Sequence, residues 1–336
     1  MSLEKKVLGV LLICLLGLGL LIWVAPHFLR SDTIKGKPAE SLTVGTSAID
    51  LSALIWIAQA RHYFSEQGLD INMKLYESGH LAIRDLFEGG LDLATATEFA
   101  TARRCLDRRD LRIISILDAA KDQQLVARRD HGITGASDLR NKRIGIAGGT
   151  SSDYYLHVFL VLQKIRADDV HVVDLMPSEQ VKAIAKGDID AIMVWEPFAT
   201  MAKDELGTNA VSWPAQSGED EYWLLLSTDE IVKKRSPAIE RFLSALAWAE
   251  EFIRNNETEA IQLMGQQLGS RHKSSLWRNH NFRLGLNRPL IVKMEDELRW
   301  MKSTPGSRAP DMPDVLDFIY VDGLSSVSPE KVKILR

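Results

Sequence analysis

Residues 141–198 carry the pattern that most narrows the folds open to this chain. A short apolar run at 143–146 breaks at Ala147-Gly148-Gly149 and restarts at Thr150-Ser151-Ser152-Asp153. From there Tyr155, Leu156, Phe159, Leu160, Leu162 and Ile165 recur at helical spacing. Strand, glycine turn, hydroxyl-rich start, helix: this order aims backbone N–H groups and the positive end of a helix dipole at one spot, as an oxyanion site requires. The same residues also make an ordinary capped turn, because Thr and Ser hydroxyls accept from first-turn amides. Gly145, Gly148 and Gly149 do not fit the dinucleotide-binding fingerprint, and no Lys follows the turn as it would in a Walker phosphate loop.

The second half of the stretch adds a strand at 170–175, a helix opened by Met176-Pro177-Ser178-Glu179, and a third strand led by Gly187-Asp188-Ile189-Asp190-Ala191. This βαβαβ progression predicts a doubly wound α/β module with its ligand at the carboxyl ends of the strands. Trp195-Glu196-Pro197-Phe198 stands just past the third strand. The ordered set resembles the periplasmic solute-binding proteins of ABC importers, in the NMT1-like group that handles sulfonates, taurine, nitrate and thiamine-precursor-like compounds. The likeness runs from about residue 42 to the end and is strongest over 138–198. It implies an α/β, two-lobed periplasmic binding protein fold of type II, with a cleft between two doubly wound lobes. It also implies a small-molecule solute, ABC permease and ATPase subunits as partners, a place on the periplasmic side of the bacterial inner membrane, and no cofactor.

The length of 336 residues suits two lobes of ~100–200 residues each, and 46% hydrophobic residues can fill a core in both. Lobe 1 is expected over 42–126 and 222–336, and lobe 2 over 127–221. The crossings near 124–130 and 218–223 would act as a hinge. A net charge of −4 and no helix-turn-helix ahead of the fold give no sign of nucleic-acid binding. Ahead of the lobes, Lys5-Lys6 precedes about 19 uncharged residues, 7–25, enough to span a bilayer core. Trp23 and Pro26 around Ala25 make a poor cleavage site. Residues 1–30 are therefore expected to be one uncleaved transmembrane signal anchor, with cleavage and lipidation at Cys14 the alternatives. Residues 31–41 form a polar linker.

Candidate ligand contacts follow strand ends. Thr46-Ser47-Ala48-Ile49-Asp50 is a second hydroxyl-rich helix start, and Ser47 and Asp50 either cap it or touch ligand. Gly89-Gly90-Leu91-Asp92-Leu93-Ala94 echoes Gly187-Asp188-Ile189-Asp190-Ala191, so the two strands are expected to be equivalent. Each is followed by an acid, Glu98 or Glu196, that either faces the cleft or is a solvated loop charge. Asp118 ends a further strand. Gly149, Thr150, Ser151 and Ser152 would hold the anionic end of a solute through neutral donors, with Trp195 packing on the rest. Were Glu98 and Glu196 to face the same cleft, an amino-sulfonate or another zwitterion would satisfy both ends.

Motifs for catalysis are missing: no Cys-x-x-Cys, no His-Glu-x-x-His and no G-x-S-x-G occur. With only Cys14 and Cys105 there is no thiolate metal site, and the cysteine-rich iron motif of fungal pyrimidine-synthesising relatives is absent. The expectation is therefore a non-enzyme without bound metal. Two other classes stay open. A membrane-tethered sensor or scaffold could use the same fold, and an enzyme could use cleft carboxylates as acid and base.

Overall fold

The computed structural model describes residues 39–303 and 312–334. The anchor expected at 1–30 and most of the linker lie outside the described residues. Among the described residues no helix is long and apolar enough to cross a membrane.

The main strands are β1 (Glu40–Thr46), β2 (Leu69–Leu75), β3 (Leu93–Thr97), β4 (Leu111–Ala120), β5 (Gln124–Arg128), β6 (Arg143–Ile146), β7 (His171–Asp174), β8 (Ala191–Val194), β9 (Ala210–Pro214) and β10 (Glu221–Thr228). They form two five-stranded sheets of one plan, β2-β1-β3-β10-β4 and β7-β6-β8-β5-β9. In each sheet three strands joined through helices run parallel. The strand arriving from the other sheet, β10 or β5, lies antiparallel to both its neighbours. The two-lobed α/β fold is thus as expected, but its sheets are mixed, not purely parallel. The reason is topological: the parallel strands end at the cleft, whereas a strand crossing from the other lobe begins there and must run the opposite way.

The echo between the two glycine-led strands is structural as well. Gly45 of β1 pairs with Ala94 of β3, and Gly145 of β6 with Ile192 of β8. A Cβ on Gly45 would stand 2.4 Å from Leu91 Cδ1, and one on Gly145 2.8 Å from Ile189 Cδ1. A side chain at either position would have to displace the Leu91 or Ile189 methyl that packs there.

In the second sheet, alternate residues of one strand serve different cores. Leu125, Ala127, Ile144, Ala191 and Met193 pack with Tyr155, Leu156, Phe159 and Leu160 on one face. Val126, Ile192 and Val194 pack with Val181, Ile184 and Ala199 on the other. This period-two division is why the strands read as continuous apolar runs. Around the first sheet, helices Ser236–Asn255 and Arg288–Ser303 add Phe242, Leu243, Met294 and Leu298 to one larger core. Two local expectations change. Leu162, the last residue of helix Ser151–Leu162, is 57% exposed and not part of the core. The helix expected over 51–64 breaks at His62, whose φ of 61° is left-handed. That turn lets Phe64 stack on Phe242 at 4.8 Å.

Candidate functional site

A narrow cleft, with about 20 Å³ of cavity volume, lies where strand ends of the two lobes face each other. From the first lobe come Ser47 after β1, Ser78 and His80 after β2, and Thr97 at the end of β3. From the second come Thr150 and Ser151 after β6 and Trp195 after β8. The crossing segments close the back, with Gln123 just ahead of β5 and Glu221 and Trp223 at the start of β10. Carboxyl ends of parallel strands are where α/β sheets place ligands, because loops there are free to vary while the sheet holds them rigidly.

The first-lobe wall is wired by hydroxyls. Thr95 Oγ1 donates to Thr46 Oγ1 at 3.0 Å, Thr46 Oγ1 donates to Ser52 Oγ at 2.9 Å, and the Trp223 indole N–H donates to the same Ser52 Oγ at 3.1 Å. The Trp56 indole N–H holds the Ser47 carbonyl at 3.1 Å. These bonds satisfy buried polar groups and fix the Trp223 ring as a wall of the cleft. Polar contacts also cross between lobes. Ser151 Oγ donates to Thr97 Oγ1 at 3.1 Å, Lys293 Nζ donates to the Tyr155 hydroxyl at 2.9 Å, and the Ser178 backbone N–H donates to Glu77 Oε1 at 2.6 Å. Trp300 packs at the same junction, with ring centroids 5.6 Å from Tyr154 and 5.8 Å from Phe99. It is half-buried there and packs against the first-lobe core.

The glycine loop of the second lobe does form the strand–turn–helix read from sequence, with Gly149 at φ 78°. Its amides, however, already have partners. Gly148 N–H donates to Asp174 Oδ1 at 2.8 Å and Gly149 N–H to Asp153 Oδ2 at 2.6 Å. The Thr150 hydroxyl caps the helix by accepting from Ser152 N–H at 3.3 Å and donates to the Ala147 carbonyl at 2.6 Å. Gly149 does not line the cleft; Thr150 and Ser151 do. Ser152 is fully buried beside them, its hydroxyl without a partner.

The remaining candidates sit behind or away from the cavity. Asp50 bonds His272 Nδ1 at 2.7 Å. Asp118 is fully buried, accepts from the backbone N–H groups of Ala119 and Asn281, and lies 2.6 Å from His280 Nδ1. Burial alone would lower the His280 proton affinity, but the Asp118 charge outweighs it and raises it. Glu196 caps its own helix through Thr200 N–H at 2.9 Å and meets Lys203 at 3.4 Å. Glu98 accepts from Tyr222 N–H at 2.7 Å and pairs with Lys293 at 3.4 Å, and burial pushes its carboxyl up to about 7 against the pull of that lysine. None of these four carboxylates lines the cleft.

Of the ten residues singled out in the sequence, Ser47, Thr150, Ser151 and Trp195 come together at one cavity. Glu77, His80, Gln123, Glu221 and Trp223 join them and were not singled out. Glu221 carried a readable signal, since it is the one carboxylate in a strand otherwise buried at every position. Glu77 follows the end of β2 as Ser47 follows β1, so the strand-end rule also reaches it. Among the described residues no Lys or Arg lines the cleft, and burial, together with nearby Arg84, Arg104 and Arg103, holds His80 below the usual histidine range.

A model of the family described as NMT1/THI5 like matches residues 52–260, more than half of the chain. The chain belongs to that family. It is similar to a protein of Brucella abortus named as a binding protein, 25% identical over 218 residues, 63% of this chain and 66% of that one, just under two thirds of its length. It is also similar to the taurine-binding periplasmic protein of Escherichia coli, 25% identical over 143 residues, 42% of this chain and 44% of that one. Among solved structures, the alkanesulfonate-binding protein SsuA from Xanthomonas axonopodis pv. citri, bound to MOPS, superposes with a TM-score of 0.71 at 17% identity, covering 85% of this chain and 99% of that one. The desulfurization enzyme DSZB superposes at 0.60 and 16% identity, over 87% and 99%. Likeness at this identity concerns the fold, which serves binding proteins and at least one enzyme.

Proposed function

We propose that this family member is the substrate-binding component of an ABC importer. It captures a small anionic or zwitterionic organic solute of the sulfonate or taurine kind in the interlobe cleft, leaves it chemically unchanged, and delivers it to a permease on the periplasmic side of the inner membrane. The observation that carries this reading is the cavity itself: a small chamber at the strand ends of both lobes, where hydroxyls and carboxylates stand among aliphatic and indole side chains, bounded by the two crossing segments about which such lobes close. Lobe 1 comprises the sheet holding β1 and β10 with the C-terminal helices, lobe 2 the sheet holding β5 and β9, and the crossings lie at 121–123 and 215–220. Hydroxyls of Ser47, Ser78, Thr97 and Ser151 hold the anionic end without a charged partner, and Trp195 packs on the rest. The sulfonate and taurine names among the similar proteins support the solute class.

Thermal shift of the full-length protein against taurine, alkanesulfonates, nitrate and carboxylates tests this. A ligand at a hundredfold excess over its Kd adds about 2.7 kcal/mol, which raises the Tm by several degrees. Ser151→Val should remove at least tenfold of that affinity while the unliganded Tm moves little. Absence of a shift with every solute from a folded protein would end the reading.

A further inference from the structure

The back of the cleft is rich in acceptors, and the donors that reach Glu221 there, the Ser151 hydroxyl and the Gln123 amide, are the protein's own. Glu221, fully buried, lines it, and Glu77 lines the rim. The Gln123 amide nitrogen donates to both Glu221 oxygens, at 3.2 and 3.1 Å. That orientation leaves Gln123 Oε1 buried at the cavity wall with no partner, and Asp122 Oδ1 beside it is also buried without one. Turning the amide over would press its oxygen against a carboxylate, so the network itself sets the orientation. A buried acceptor with no donor costs free energy of the order of a lost hydrogen bond, so a bound solute that supplies donors gains what the free protein lacks. Sulfonates and carboxylates are acceptors only.

The charges around this end point the same way. Glu221, Glu196 and Asp118 all act on Asp122, in that order of strength. Glu98, Glu297, Glu221 and Glu219 all act on a single ammonium, Lys293. That ammonium is already shared between Glu98 at 3.4 Å, Glu297 at 4.0 Å and the Tyr155 hydroxyl. Burial, and then repulsion from Glu221, lifts Asp122 well above the carboxylate range, and burial raises Glu221 as well, against the Ser151 and Gln123 hydrogen bonds. With both carboxyls raised, the proton belongs to the pair and not to either residue. Trp195 and Trp223 stand at the same cavity, and indole faces attract cations.

We infer that Glu221, with Gln123 and Asp122 beside it, is a subsite for a protonated amine, so that the solute carries an ammonium or amidinium group and amine-free anions are rejected. This rests on the cleft being the solute site. On binding, the amine donates to Glu221 and to Gln123 Oε1, and the carboxyl pair gives its proton to solvent. The pair then carries two negative charges against the incoming positive one, and one proton leaves for each solute bound.

Isothermal titration of the full-length protein with matched probes tests this: taurine against ethanesulfonate, β-alanine against propionate, and ethanolamine against ethylene glycol. Titrations in phosphate and in Tris count protons from the buffer dependence of the heat. The expected result is an amine probe binding at least tenfold tighter than its amine-free match, more tightly at pH 8 than at pH 6, with proton release. Glu221→Gln should erase the preference. Asp122→Asn, which keeps the Glu221 charge and is milder for folding, should retain amine binding but abolish proton release. Equal or tighter binding of the amine-free members, or proton uptake on binding, overturns the inference while leaving the cleft as a solute site. Failure of every amine probe to bind overturns it too, and a shift with plain sulfonates in the earlier thermal assay then shows whether the importer reading survives.

Discussion

Two helix starts stand on opposite sides of the cleft, and they differ in what already occupies them. In the second lobe, Asp174 and Asp153 accept from the Gly148 and Gly149 amides, and Thr150 closes on Ala147 and Ser152. In the first lobe, Ser78 pairs with His80 Nδ1 at 2.9 Å, and Gly79 lies so close to Ala96 that a Cβ would stand 2.5 Å from its Cα. Ser78, Gly79 and His80 line the cavity. A glycine- and hydroxyl-rich turn ahead of a helix is therefore not itself a ligand site. What matters is whether a neighbouring strand delivers a carboxylate to the same amides. Asp174 ends β7, directly opposite Ile146 in the ladder, and so reaches the loop after β6.

The same contrast runs through the buried charges. The second lobe has a satisfied acid: Asp190 accepts from Arg143 N–H at 2.8 Å and meets the Arg143 guanidinium at 3.0 Å and His131 at 2.7 Å. The first-lobe side has several acids around one lysine. Breaking that side should give the largest effect. Lys293→Met leaves Glu98 and Glu297 buried without a cation and should cost about 3–5 kcal/mol, read from the denaturant midpoint. A loss below about 1 kcal/mol would mean that the acids are held by something other than Lys293.

A pH series sharpens the comparison next. Glu98, Glu221, Asp122 and Glu297 are all pushed up by burial, so from about 4.5 to about 7 the folded state binds more protons than the unfolded one. Stability therefore falls as pH rises through that window. His280, raised by Asp118, adds to the same trend, because its contribution is present below its unfolded value and lost as pH rises through the folded one. Asp190 has the opposite sign. Burial alone would raise it, but Arg143 and His131 hold it far below the usual range, so its contribution is lost only as pH falls below about 4. Thermal melts should peak near pH 5, with a lower Tm at 7.5 and again at 3.5. A Tm that climbs from pH 5 to 7.5 would show that the first-lobe acids fold already ionised.

The smallest effects separate the two helix starts directly. Asp174→Ala should cost about 1 kcal/mol by leaving Gly148 N–H without its partner, yet leave solute affinity within twofold. Ser78→Ala should change stability by a similar amount and weaken the solute severalfold. Thermal shift with the best-binding solute measures both, and equal effects on affinity would erase the distinction.

Much of the architecture was legible because it is written in local patterns. The helix Ser151–Leu162, its Thr150 cap, the β6–β8 progression and the equivalence of β3 and β8 all follow from apolar spacing and glycine placement. The candidate site was legible only in part. Ser47, Thr150, Ser151 and Trp195 obey a rule about strand ends, whereas Glu98 and Glu196 obey it too but are turned toward Tyr222 N–H and Thr200 N–H, and Asp118 lies inside β4, which runs on to Ala120, and faces a histidine. Side-chain direction past a strand end depends on partners distant in sequence, and no local pattern records them: Tyr222 for Glu98 and His280 for Asp118.

The sequence by itself determined two α/β lobes of common plan, the strands whose ends can reach a ligand and the absence of catalytic and metal motifs. Those are properties of spacing and composition that any compact packing of this chain must respect. Tertiary structure alone decided which groups remain available. It filled the glycine loop with Asp153 and Asp174, brought Glu221 from the returning strand beside Gln123 from the outgoing one, and left buried oxygens there without donors. Hydrogen bonds saturate, so whether a polar group can still serve a solute depends on every neighbour that folding brings within about 3 Å.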